Sequence, residues 1–303
     1  MAAPSFRALQ SANKRKTFFL LFFMGILVWL IAYVAINAFG GTGAAVIPLA
    51  VVISLVSVWG SYYGSDKLVL TMTRARLIQE SDNPKLFDLI QEVCIASGMP
   101  MPKVAIVEDN APNAFATGRD PEHALIAFTT GILDVMDRDE LQGVIAHEMS
   151  HVANRDTLVS AIAATTAGLV ALVSDILMRT LWFGGGRDRN RGENQMPIFL
   201  AIIPLILAPI AATLLKAAIS RRREALADAT AVAFTRNPTG LRKALEVLAH
   251  DNTVVKARSS AVAHLYIESP LDASAASRMF ATHPPIEERI ATLRAMEANP
   301  SSY

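Results

Sequence analysis

The sequence predicts a mostly helical α+β chain, with one small β-sheet, four transmembrane helices and a polar domain built round a metal-binding helix. Three observations carry that expectation. Hydrophobic residues make up 52% of the 303 positions and charged residues only 18%, too apolar a balance for an ordinary soluble protein of this size. The apolar residues are concentrated in long uncharged runs. The polar remainder holds short strand-like segments followed by a helical pattern that contains His147-Glu148-Met149-Ser150-His151.

No charged residue lies between Lys16 and Asp66, enough chain for two bilayer crossings at about 20 residues each. Gly40-Gly41-Thr42-Gly43 divides the run, so residues 17–39 and 44–63 read as a transmembrane hairpin. A cleaved signal peptide is the alternative for the first span, but a signal core runs about 7 to 15 apolar residues and this run continues into a second span. Residues 158–174 and 197–215 supply a second pair. The former is short and rich in Ala, Ser and Thr, which also suits a buried core helix. The latter carries Pro197, Pro204 and Pro209, tolerated in a membrane helix whose neighbours satisfy the freed carbonyls.

Basic residues set the orientation. Arg7, Lys14, Arg15 and Lys16 precede the first span, Lys67, Arg74 and Arg76 follow the second, and Arg221, Arg222 and Arg223 follow the fourth. The positive-inside rule puts all three groups, both termini and the His147–His151 motif in the cytoplasm, against the opposing vote of Arg187, Arg189 and Arg191. A net charge of +1 and the lack of a basic stripe interleaved with aromatics point away from nucleic acid as a partner. Cys94 is the only cysteine, which excludes an intrachain disulfide and a thiolate metal cluster.

In the polar part, Asn83-Pro84 opens a helix through Leu86, Leu89, Ile90 and Val93 that ends near Gly98. Residues 104–107, 113–118 and 124–129 read as strands, the last two separated by the turn Gly118-Arg119-Asp120-Pro121. An extended polypeptide can add to an exposed sheet edge, and either of the last two strands could offer that edge or be plain scaffold. Asp137 and Glu140 form a D-x-x-E start signal for the helix that carries the motif. After residue 220, helical patterns run through 220–235, from Asn237-Pro238, and from Pro284-Pro285; residues 251–281 carry no readable pattern.

A helix turns about 100° per residue, so His147 and His151 share one face and can grip one metal ion, while Glu148 beside them reaches a bound water instead. Such a catalytic site takes three protein ligands and leaves a fourth position open. Glu224 is the candidate third ligand, and Asp228, one turn on, a candidate hydrogen-bond acceptor for the outer nitrogen of a ligating histidine. From the residues alone the two read equally well as a surface carboxylate pair after three arginines. His283 is a candidate oxyanion donor or simply part of a His-Pro turn. His123, His250 and His264 lack ligand spacing.

His147 to His151 followed by Asn154-Arg155-Asp156, then Ser220-Arg221 and Glu224-x-x-Ala227-Asp228, with Asn113 to Gly118 and Thr282-His283-Pro284, resembles the HtpX family of membrane-bound heat-shock zinc proteases. The resemblance covers nearly the whole chain. It implies a zincin-type cytosolic metalloprotease domain of gluzincin form, one Zn2+ per chain held by His147, His151 and Glu224, Glu148 as catalytic base, and Asp228 behind a ligand. It implies an endopeptidase of a prokaryotic inner membrane that degrades misfolded or damaged membrane proteins, with the lipid bilayer and unfolded polypeptides as partners. The division expected is an N-terminal tail and hairpin in 1–64, the first part of the protease domain in 65–156, a second hairpin in 157–219, and the rest of the domain in 220–303. Two other readings are a CAAX-prenyl-protease-like enzyme, whose family spans the membrane more often, and an inactive membrane adaptor with a structural metal.

Overall fold

The structure, a computed structural model, describes residues 15, 18, 19, 21–30, 32, 33, 45–160, 221–251 and 286–298. The expected span 197–215, residues 161–174 of the one before it, His264 and His283 lie outside the described residues. Within them the chain is mostly helical around a small mixed sheet.

The apolar part consists of α1 (Leu21–Leu30) and α2 (Val46–Thr73). Among the described residues Val46–Gly64 is the helical segment long and apolar enough to cross a bilayer, and Leu21–Leu30 is shorter. Leu21, Met24 and Val28 pack with Val58, Tyr62, Leu158 and Val159. The Ser54 hydroxyl donates to the Gly25 carbonyl at 2.6 Å, tying α1 to α2. Outward-facing Phe22, Phe23, Leu55, Val56 and Trp59 are exposed, so the helices are apolar all round. α2 passes Gly64 without a break and stops at Thr73, where Arg74 takes a left-handed φ of 56°. One helix therefore carries the end of the expected first segment and the start of the next.

Strands β1 (Arg76–Ile78), β2 (Lys103–Val107), β3 (Ala114–Thr117) and β4 (Leu125–Thr129) lie in the order β1-β2-β4-β3. β2 and β4 are parallel, and the outer pairs are antiparallel. Alternate residues serve opposite faces. Ala105, Val107, Phe115, Leu125 and Ala127 meet Val69, Leu70, Met72 and Ala75 at the end of α2. Val104, Ile106, Ala114, Ile126 and Phe128 join the main core on the other side. With both faces covered, the inner strands are apolar throughout instead of alternating. β3 takes the edge position and β4 is internal, which separates the two strands between which the sequence did not choose.

The main core is filled by α3 (Pro84–Ser97), α5 (Arg138–Ala153), α6 (Arg221–Thr235), α7 (Pro238–His250) and α8 (Ile286–Ala298), with the short α4 (Thr130–Val135) leading from β4 into α5. The Asn83 side chain caps α3 by accepting from the Leu86 amide at 3.2 Å. Asp137 and Glu140 form the expected capping box, each carboxylate accepting from the other's amide at 2.9 Å. α5 is central and is packed by α6, α7, α3 and β3. It approaches α7 so closely that a Cβ on Gly143 would stand 2.5 Å from the Leu241 nitrogen, and one on Gly240 would stand 2.4 Å from the Asp139 carbonyl oxygen. Only glycine fits at that crossing.

Candidate metal centre

The centre is built where the middle of α5 faces α6 and α8. His147 and His151, one turn apart on α5, both turn toward Glu224 in the first turn of α6. One ligand atom from each of the three lies within 4.8 Å of the others. The two Nε2 atoms are 3.3 Å apart, and each lies 3.6 Å from a Glu224 carboxylate oxygen. Tetrahedral zinc with bonds of about 2.0–2.1 Å needs neighbouring ligand atoms about 3.3–3.4 Å apart, so two imidazoles and a carboxylate at this spacing fit such an ion. His147 is wholly buried and Glu224 nearly so, whereas His151 is partly open. Glu148 follows His147 on the same helix and is 3% exposed.

Each histidine is held from behind. His147 Nδ1 stands 3.0 Å from Asp228 Oδ1, and His151 Nδ1 stands 3.2 Å from Asp156 Oδ2. A carboxylate there fixes the ring and leaves Nε2 to face the metal position. Asp156 reaches back because Asn154 ends α5 and Arg155 takes a left-handed φ of 57°, reversing the chain within one turn. Asp228 occupies the same face of α6 as Glu224, and the buried stripe of that helix reads Glu224, Ala227, Asp228, Ala231, Val232. Two carboxylates on a stripe of otherwise small apolar residues are thus aimed inward by helical periodicity alone.

Sequence reasoning missed Arg289. It lies in the first turn of α8, is 3% exposed, and grips Asp228 with both Nε (2.9 Å) and Nη2 (2.7 Å). Nη2 also lies 3.3 Å from each ring nitrogen of His147. Nη1 is buried without a hydrogen-bond partner among the described residues. The signal was available in its register, since Ile286, Arg289, Ile290 and Leu293 fall at i, i+3, i+4 and i+7, the spacing of a core-facing stripe. A lone arginine on that stripe must find a buried anion.

The electrostatics follow from burial and these partners. Burial works against the Asp228 charge, but Arg289 and then His147 outweigh it and hold the carboxyl well below the usual range. Burial and the Arg289 charge disfavour a proton on His147; hydrogen bonds to Asp228 and Glu224 more than offset them and raise its pKa to about 9. A divalent ion held by His147, His151 and Glu224 would displace that proton. Burial also opposes the Arg289 charge, which Asp228, Glu224 and Glu148 sustain. His123 and His250 make contacts of their own, His123 at 2.5 Å from Asp120 and His250 at 2.7 Å from the Glu246 carbonyl.

Residues 80–297 match Peptidase family M48. Among curated proteins, the "Protease HtpX homolog" of Thermoanaerobacter pseudethanolicus is 41% identical over 300 residues, covering 98% of this chain and 99% of the other. That of Syntrophobacter fumaroxidans is 46% identical over 263 residues, 86% of this chain and 92% of its own. The archaeal one from Thermococcus sibiricus is 40% identical over 286 residues, 94% and 96%. Among solved structures, Ste24p of S. mikatae aligns with a TM-score of 0.50 at 17% identity, over 94% of this chain and 66% of that one, a likeness of fold alone. With a family match running from just after β1 into α8 and relatives matched over 86–98% of the chain, the chain belongs to the HtpX family of M48 metallopeptidases.

Proposed function

We propose that the chain is an integral-membrane zinc endopeptidase that cleaves misfolded or damaged membrane proteins at the centre formed by His147, His151, Glu224 and Glu148. The observation that carries the reading is the convergence of three ligand atoms within 4.8 Å beside a buried carboxylate that holds none of them. Bound zinc supplies Lewis acidity, lowering the pKa of a water to about 7 and polarising the scissile carbonyl. Glu148 takes the proton from the attacking water and returns it to the leaving nitrogen. Asp228 and Asp156 orient the two imidazoles, and Arg289 keeps Asp228 charged in a buried setting.

Support for the membrane setting comes from the apolar, outward-exposed α1 and α2 and from the packing of Leu158 and Val159 against them. His151 precedes Leu158 by seven positions. That short separation supports a centre next to the bilayer, positioned to meet segments leaving the lipid. The topology proposed keeps four spans, cytoplasmic termini and a cytoplasmic centre, on the distribution of Lys and Arg, with the segment boundaries given above. A structural zinc site in an adaptor usually closes with a fourth protein ligand and needs no general base, so Glu148 argues for the enzyme. The fold likeness to Ste24p adds no weight to a prenyl-protease reading.

Glu148→Gln tests the reading. The variant is expected to retain one zinc per chain and to lose cleavage of an unfolded membrane protein by roughly 10²- to 10⁴-fold, the usual worth of a general acid-base group. Cleavage at the parent rate overturns it.

A further inference from the structure

Three contacts place one end of the sheet at the base of the apolar helices. The Arg119 guanidinium, in the β3–β4 turn, lies 5.2 Å from the ring centre of Tyr63 on α2. Lys103, first in β2, pairs with Asp66 of α2 at 3.5 Å. The Thr157 hydroxyl, one residue before the apolar Leu158, donates to the Gly118 carbonyl at 3.0 Å. Lys103, Leu125 and Thr117 are register partners, so all three contacts fall at the same end of the strands. Two separate apolar segments thus mark the level at which the polar domain meets the lipid.

The loop from α3 to β2 lies at that level. Met99 packs on Ala116, Ala124 and Val152, and the Lys103 amide donates to the Ala124 carbonyl at 2.9 Å. Beyond Gly64 the exposed large apolar side chains among the described residues are Leu68, Leu77, Ile95, Met101 and Val135. Met101, two residues before Lys103, is 42% exposed, and Ile95, in the last turn of α3 that leads into the loop, is 76% exposed. Charges around them largely cancel: Asp66 on Lys103, and Asp120 on both Arg119 and His123, with Lys67 and Glu122 of opposite sign. A headgroup of either sign gains little here, whereas exposed apolar side chains gain by leaving water.

We propose that Ile95 and Met101 form a lipid-facing foot that dips into the interfacial layer of the bilayer, with no requirement for anionic lipid. The proposal rests on the bilayer placement of α2 argued above. Added to the anchors at α2 and Leu158, a contact through the α3–β2 loop fixes the height and tilt of α5 and of the metal centre above the membrane.

The test uses the full chain carrying Cys94→Ala, so that a single new thiol is the only one that can be labelled. Leu55→Cys, Met101→Cys or Val135→Cys is labelled with an environment-sensitive fluorophore, and the protein is reconstituted in phosphatidylcholine vesicles bearing nitroxide lipids at shallow and deep acyl positions. Val135 is the solvent control, exposed and beyond the opposite end of β4, about 13 Å along the strand at 3.3 Å per residue. Expected is strong nitroxide quenching at 55 and 101, at least threefold above that at 135, and protection of position 101 from aqueous iodide. Quenching at 55 with position 101 behaving like 135 overturns the foot and leaves the membrane reading intact. A label at 101 reached by neither quencher is covered by the chain itself, which also overturns the foot. No quenching at 55 overturns the membrane reading and the foot with it.

Discussion

α8 makes two sets of arginine-carboxylate pairs, and they differ in what surrounds them. Arg289 in its first turn meets Asp228 in the buried centre, both almost inaccessible. Arg294 and Glu297, one and two turns on, meet Glu246 and Arg242 of α7 at 2.7 Å, with side chains from 16% to 64% exposed. The bond lengths are the same. The difference teaches that water, not geometry, decides the worth of an ion pair: the outer pairs exchange solvent contacts for protein ones at little net gain, while either partner of the inner pair, left alone, is a charge stranded in a low-dielectric site.

The largest expected effect is at the inner pair. Arg289→Ala should destabilise the folded chain by about 3–5 kcal/mol and loosen metal binding, because buried Asp228 loses both guanidinium hydrogen bonds and holds the His147 ring less firmly. Denaturant unfolding in the presence and absence of chelator measures both, and a loss no greater than that of an outer-pair variant breaks the comparison. Glu246→Ala, which removes the acceptor of both Arg242 and Arg294, should cost no more than about 1 kcal/mol, with the difference vanishing in high salt.

Acid should separate the two sets. Glu246 and Glu297 are held below their usual pKa of 4.5, the former first by its Arg294 hydrogen bond, the latter by Arg242 against the opposing effect of burial. Their contribution is present above the unfolded value and is lost as pH falls through the lowered folded value. Asp228 is depressed by the same logic and much further, so its pair persists to lower pH. Titration followed by carboxyl-resolved NMR should therefore show Glu246 and Glu297 protonating before Asp228.

Legibility in the sequence divides along the same line. α5 was readable because its start signal is local, Asp137 and Glu140 three residues apart, and its ligands are one turn apart. The strands were readable as short apolar runs bounded by turn residues, their observed limits within a residue or two of those expected. β1 was not predicted, since three residues directly after a long apolar helix show no alternation, and its pairing with β2 is a long-range contact. α4 was hidden because six residues between a strand and a capped helix read as part of the approach to α5. Arg289 and Asp156 carry no motif of their own: the former finds its partner 61 positions away, and the latter depends on a chain reversal at Arg155. Glu224 and Asp228 stood between two readings until the register of α6 placed them inward.

The proposed metal centre depends on the carboxylate of α6 completing a three-ligand set begun on α5. Zinc content of purified Glu224→Ala beside the parent chain, measured by elemental analysis after dialysis against trace chelator, tests it most directly. One zinc per parent chain and a variant stripped to a small fraction of that is the predicted result; a Glu224→Ala chain that keeps one zinc as tightly as the parent contradicts it.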